Sequence, residues 1–290
     1  MLELLQSIIV YSFVFGSIYL LVSLGFSLIC GILRIFHLGY GLSFVMAIYL
    51  TWMFMTELKL GVTLSIILMI LVQFAVGMLI HWGIFQRYLE EEEKLLTLSL
   101  LAYLVFAHFA NYRYPITAGV HLPTTIMYGA LSIGVTTISY QMFIAAITAI
   151  FVTLVFVFIF LKTKLGLIMR AVSQNLRGSM LMGVNVGLTY WYAIILSTIP
   201  PIICTLTIAP FWSVDPFMGE SMLSIAILIA ILGGLGNLKG SIVASYAIGF
   251  IHSVVSFVYT SRFMGLVALI VTLIMLLVKP EGLCGAEKLW

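Results

Sequence analysis

Few side chains in this sequence are equipped for chemistry: three Cys, five His, ten Asp or Glu and thirteen Lys or Arg among 290 residues. Cys30, Cys204 and Cys284 lie far apart, and neither they nor the histidines show a CxxC or Cys/His ligand spacing. The cysteines therefore read as small apolar residues, and no metal centre is expected. His81, His108 and His252 fall within or near long apolar runs, where a lone histidine either bonds a neighbouring helix, the commoner case, or relays a proton. The string Gly233-Gly-Leu-Gly-Asn-Leu-Lys-Gly240 looks like a phosphate loop at first sight. Its Lys239 is followed by Gly240 and Ser241, so the Gly-Lys-Ser/Thr ending is missing and neither a nucleotide site nor a cofactor is expected. What its glycines do allow is a sharp reversal and close approach of helices. A similar Gly-broken junction stands at Arg34-Ile-Phe-His-Leu-Gly-Tyr-Gly41. Transporters often place solute near the midplane, where interrupted helices from two related halves meet. His37, Gly39, Tyr40 and Gly41, with Gly233, Gly234 and Gly236, are accordingly candidates for the wall of a solute path.

A third segment, 161–188, carries Arg170, Ser173, Gln174, Asn175, Arg177 and Asn185 and is too polar to span a membrane. Ile168, Ala171, Val172, Leu176, Met180 and Leu181 nevertheless recur at helical spacing, which predicts one amphipathic helix over about 166–185. Periodicity leaves two roles open: an anchor in the lipid interface, or a helix that docks a soluble partner. The run Glu90-Glu-Glu-Glu-Lys94 reads as a solvated helix start, with carboxylates favoured by the helix dipole.

These segments sit in a chain that is 63% apolar and 8% charged, with mean hydropathy +1.23. Soluble domains run near 45–50% apolar and about 25% charged, so this composition implies an all-α, polytopic transmembrane bundle forming a single domain over 1–290. The basic residues are scattered, which gives nucleic-acid binding no support. A span needs roughly 20 apolar residues. Nine segments are candidates: 8–30, 38–55, 60–85, 95–111, 137–161, 188–209, 222–235, 241–258 and 263–278. Two of them, 38–55 and 222–235, are short and flanked by small residues, as half-helices or re-entrant segments would be, so the expectation is eight to nine spans. The N-terminal stretch is longer than a signal-peptide core and is expected to be retained as the first span.

With nine spans, Arg34, Arg87, Lys94, Lys162, Lys164, Arg170, Arg177, Lys239, Lys279 and Lys288 share one side, and only Lys59, Arg113 and Arg262 the other. Basic residues stay on the cytoplasmic side, which places the C-terminus inside and the N-terminus outside. All ten acidic residues are read at chain ends or in loops, so no span is expected to hold a carboxylate and coupling to a cation gradient is disfavoured.

Taken in order, the segments resemble permeases of the branched-chain amino-acid (Liv-type) ABC importers, over nearly the whole chain. The resemblance rests on Gly25-Phe-Ser-Leu-Ile-Cys-Gly-Ile32 followed by His37-Leu-Gly-Tyr-Gly41, on Arg170-Ala-Val with Leu181-Met-Gly-Val-Asn185, and on Lys279-Pro-Glu-Gly-Leu-Cys-Gly285. Its most specific block is Ala230-Ile-Leu-Gly-Gly-Leu-Gly-Asn-Leu-Lys-Gly240. Two places depart from the family pattern: His37 and Tyr40 stand where Asn and His are usual, and Leu96-Thr-Leu-Ser99 replaces a Thr-Ile-Gly. The resemblance implies a bacterial inner-membrane subunit that carries branched-chain or other amino acids, or a similar small polar solute. It implies a second permease subunit, two cytoplasmic ATP-binding subunits and an extracytoplasmic solute-binding protein as partners. ATP hydrolysis would belong to the ATP-binding subunits, not to this chain. Arg170, Ala171, Gln174, Arg177 and Gly183 would then form the contact that couples ATP hydrolysis to transport. The alternative is an ion-coupled secondary transporter.

Overall fold

The computed structural model describes residues 2–33, 37–88, 91–114 and 119–284; Arg34, Glu90, Gly285 and Lys288, named above, lie outside them. The long helix α1 (Leu2–Leu33) is followed by a 3-10 turn (Leu38–Tyr40) that leads into α2 (Gly41–Thr56). The next helix, α3 (Val62–Ile80), continues through a π-turn (His81–Phe85) into α4 (Gln86–Tyr88), and α5 (Glu92–Arg113) returns. A hairpin of β1 (Ala130–Ile133) and β2 (Thr136–Ser139) precedes α6 (Tyr140–Lys162). Two short helices, α7 (Lys164–Gln174) and α8 (Leu176–Leu181), lead to α9 (Val186–Ile208), α10 (Met218–Gly233), α11 (Leu238–Val258) and α12 (Met264–Val278). Each of the nine expected spans has its helix. Eight of them are long and apolar enough to cross a membrane, and Met218–Gly233 is a shorter apolar helix.

The core is the pairing of α1 with α11, and small residues make it close. A Cβ on Gly249 would meet the backbone N of Gly16 at 2.5 Å, and one on Gly16 would run into the Tyr246 ring at 2.5 Å. Hydroxyls bridge the same seam: Ser27 Oγ and Ser241 Oγ lie 2.7 Å apart, and Ser253 Oγ donates to the Ile8 carbonyl at 2.9 Å. Between lipid-facing helices there is little hydrophobic drive, so such backbone proximity and hydrogen bonding hold the bundle. His252 belongs to this scheme, with Nδ1 2.7 Å from the Tyr19 hydroxyl, which fits the commoner role of a helical histidine. By contrast α3 and α12 are peripheral: the apolar windows containing them are 17% and 11% buried, against 89% for α1.

Loops group at two ends of the bundle as strict alternation requires. At one end Gln6 Nε2 donates to Ile133 of the hairpin at 2.6 Å, Arg113 pairs with Glu57 at 2.7 Å, and Val120 bridges Val214. At the other lie α7, α8, the 233–240 junction and Leu283, whose N–H donates to the Leu232 carbonyl at 2.8 Å. The helices α9, α10, α11 and α12 repeat the order of α1, α2, α3 and α5 with every direction reversed, and α1 packs on α9 as α2 packs on α10.

Three expectations are corrected. The single amphipathic helix over 166–185 is two helices, because the Asn175 side chain caps a new start by accepting from Gly178 N at 2.8 Å. The span expected from 137 begins three residues later, because 137–139 belong to the second strand of the hairpin and Ser139 caps α6 at Tyr140 by accepting from Met142 N at 3.2 Å. Finally, α10 begins at Met218, so Glu220 stands in its first turn and not in a loop.

Candidate functional site

The 3-10 turn and the start of α2 sit deep in the bundle. A Cβ on Gly39 would meet the Ser99 carbonyl at 2.7 Å, and one on Gly41 would meet the Gly219 carbonyl at 2.7 Å. Reciprocally, a Cβ on Gly219 would strike the Gly41 carbonyl at 2.5 Å and the Tyr103 ring at 2.7 Å. Tyr40 anchors the turn to α1 by donating to the Val22 carbonyl at 3.0 Å, its ring held between Phe26 and Phe44. The starts of α2 and α10 therefore touch backbone to backbone, and from that point the two helices run to opposite ends. At 1.5 Å per residue the contact lies about 15 Å from the Arg113 end of α5 and about 20 Å from the Gly233 end of α10. Two half-length helices whose positive N-terminal ends meet at mid-depth are the arrangement in which transporters bind polar solute. Ser99, from the segment that departs from the family pattern, is in direct contact with this point.

His37 is buried, edge-on to Phe85 of the π-turn at 4.9 Å, and its Nδ1 has no partner among the described residues. Gln73 of α3 donates from Nε2 to the Ser43 carbonyl at 3.0 Å, which fixes its amide and leaves Oε1 unpartnered. Both line one cavity of about 30 Å³. Binding pockets run to roughly 300–1,000 Å³, so this cavity holds a water at most and no organic solute. Sequence reading missed Gln73, although a lone amide inside an apolar span was signal enough.

The other glycine junction lies elsewhere. Gly233, Gly234 and Gly236 are at the far end of α10, and the structure does not bring them to His37–Gly41. Gly234 (φ 100) and Gly236 (φ 77) take backbone conformations open to glycine, and Asn237 caps α11 by accepting from Gly240 N at 3.1 Å. Gly236 abuts Gly31 of α1, and Gly282 packs on Gly234, so the Gly233–Gly240 block and the Pro280–Gly282 turn are two halves of one joint.

At the same end, α7 buries Gly166, Met169, Val172 and Ser173 against the bundle. Ala171 and Gln174 face outward, and Arg170 is half-buried, its Nε donating to the Gly166 carbonyl at 3.3 Å. Arg177 is exposed on α8, beyond the Asn175 break, and is therefore not on one continuous helical face with Arg170 and Gln174. Gly183 (φ 81) turns the chain in open space, next to Leu181 and Met182, which are 89% and 86% exposed.

A family model described as branched-chain amino acid transport system, permease component, matches residues 8–278. The chain belongs to this family. Curated relatives include the high-affinity branched-chain amino acid transport system permease protein BraD of Pseudomonas aeruginosa, 21% identical over 94% of this chain and 93% of that one. LivH of Salmonella typhimurium, which carries the same description, is 22% identical with the same coverage of each chain. Among solved structures, PsaBC from Streptococcus pneumoniae in complex with Fab matches with TM-score 0.52 and 18% identity over 96% of this chain and 92% of that chain, which shows a shared fold. The permease is thus a multi-pass transport component. Its meeting of half-helices at Gly41 and Gly219 is the feature on which a solute path can be built.

Proposed function

We propose that the permease is the membrane-spanning subunit of an ATP-driven importer for branched-chain or related amino acids, in the bacterial plasma membrane. The observation that carries the reading is the mid-depth contact of α2 and α10: two short helices leave one point in opposite directions, so a tilt of either opens one side and closes the other. His37, Gly39, Tyr40 and Gly41 border the path, and Gly233, Gly234 and Gly236 form the hinge at its inner end. The end carrying α7 and α8 is cytoplasmic and the hairpin end faces out, in keeping with the distribution of Lys and Arg. A second permease subunit, two ATP-binding subunits and an external solute-binding protein complete the assembly, and hydrolysis belongs to the ATP-binding subunits. An ion-coupled carrier is not favoured.

Motion of the ATP-binding subunits enters through α7 and α8, where Gln174, Arg177, Leu181 and Met182 are exposed beside Ala171 and Gly183. Arg177→Glu would set a like charge against an acidic groove and leave it unpaired on docking. In proteoliposomes the variant should lose binding-protein-stimulated ATP hydrolysis and leucine uptake together, while still inserting in the membrane. Full coupled transport by Arg177→Glu with Leu181→Ser and Met182→Ser added would return these helices to an interfacial anchor.

A further inference from the structure

Glu220 is exposed in the first turn of α10, directly after Gly219, and so lies at the depth of the α2–α10 contact. The same side of α10 continues with the exposed Ser221 and Ser224. Asp215, exposed in the segment that dips from the hairpin end to reach Gly219, accepts from Phe217 N at 2.7 Å. Both carboxylates are near enough to Tyr103 to act on it electrostatically, and Asp215 on Tyr49 as well. Every Lys and Arg among the described residues lies at an end of the bundle, so nothing cationic in the described chain meets these groups.

Two observations beyond the charges point to an occupant. The first is depth: about 15 Å in from the Arg113 end of α5, an exposed carboxylate does not face hydrocarbon, and such residues turn to a water-filled cavity. The second is Tyr49, on the same side of the bundle as Asp215 and 2% exposed, whose hydroxyl has no partner among the described residues. The Tyr103 hydroxyl is already committed to the Phe217 carbonyl at 3.4 Å, which helps hold the dipping segment in place.

We infer that the face carrying Asp215, Glu220, Ser221 and Ser224 lines the aqueous solute path, with Glu220 and Asp215 receiving the ammonium group of the solute. The inference rests on the amino-acid reading above and adds its polarity: carboxylates without a local cation favour a positively charged group, and tyrosines beside them suit it further. A solute bearing only negative or neutral groups would gain nothing here.

The test uses membrane vesicles carrying the assembled importer, in a Cys284→Ser background, since Cys30 and Cys204 are buried. Glu220→Cys and, separately, Ser224→Cys are treated with a positively charged, membrane-impermeant thiol reagent, with and without ATP. Leu273→Cys, on the exposed apolar side of α12, is the lipid-facing control. Labelling of Glu220→Cys or Ser224→Cys but not Leu273→Cys in at least one nucleotide state is expected, and absence of labelling at both positions in every state and either vesicle orientation overturns the inference. Leucine should slow the labelling, and Glu220→Gln should lower kcat/KM for leucine uptake by about tenfold or more, the loss of one charge-assisted contact. Unslowed labelling together with unchanged uptake constants in Glu220→Gln removes the ammonium role. If the unsubstituted importer takes up no leucine, the amino-acid reading fails, while the labelling pattern still decides whether this face meets water.

Discussion

The two junctions are both broken by glycines but finished in opposite ways. At 233–240 the polar groups are matched: Asn237 caps α11, Leu283 N–H bonds the Leu232 carbonyl, and Gly282 closes over Gly234. At 37–41 glycines again bring backbones together, but beside them His37 Nδ1 and Gln73 Oε1 are buried without partners among the described residues. An unmatched buried polar atom costs about 1–3 kcal/mol, and the cavity beside these two has room for a single water at most. Glycine density therefore marks close approach at both sites, whereas unmatched polarity marks only one of them. On the function proposed above, the first junction borders the solute path and the second is the joint at its inner end.

The largest expected effect tests the architectural half. A Cβ on Gly240 would be driven into the Gly233 carbonyl, a contact of backbone with backbone that no rotamer change relieves. Gly240→Val should cost at least about 3 kcal/mol, the upper range for overpacking, and leave no monodisperse peak on size exclusion in mild detergent. A well-folded Gly240→Val variant would show that the joint is looser than its contacts imply.

The functional half predicts a separation of stability from transport. His37→Leu replaces an unpartnered ring nitrogen by an apolar group, so the melting temperature in detergent should stay the same or rise. Leucine uptake by the assembled importer should nevertheless fall by about tenfold, which is one neutral hydrogen bond at the upper end of its usual worth. A variant that loses stability and keeps uptake would reverse the assignment and make His37 a packing residue.

How much of this was legible in the sequence follows from which physical signals it carries. Nine helices were visible because a bilayer demands long apolar runs, and the two short ones stood out through their flanking glycines. Their meeting at mid-depth was not visible: pairing Gly41 with Gly219 is a long-range contact, and Gly219 lay just before the expected start of α10. The same misplaced boundary put Glu220 in a loop and hid a carboxylate at membrane depth. Periodicity continued unbroken through Asn175, so the split between α7 and α8 was lost, although Asn175 followed by Gly178 is a cap signal. The hairpin at 130–139 alternates too weakly to be read as strands, with only Thr136 and Ile138 buried.

The smallest expected effect sharpens the comparison at the matched junction. Asn237 is 5% exposed, and its side-chain oxygen satisfies the Gly240 N–H that the first turn of α11 leaves without a helical partner. Removing such a cap costs roughly 0.5–2 kcal/mol, and serine caps almost as well as asparagine. Asn237→Ala should therefore lower the melting temperature in detergent modestly, and Asn237→Ser should recover most of the loss. Because the cap belongs to the joint and not to the solute path, the KM for leucine should be the same in all three proteins at a temperature where each is folded. A shift in KM in Asn237→Ala that Asn237→Ser does not correct would mean that the side-chain amide itself meets the solute. The matched junction would then share the role assigned here to His37 and its neighbours.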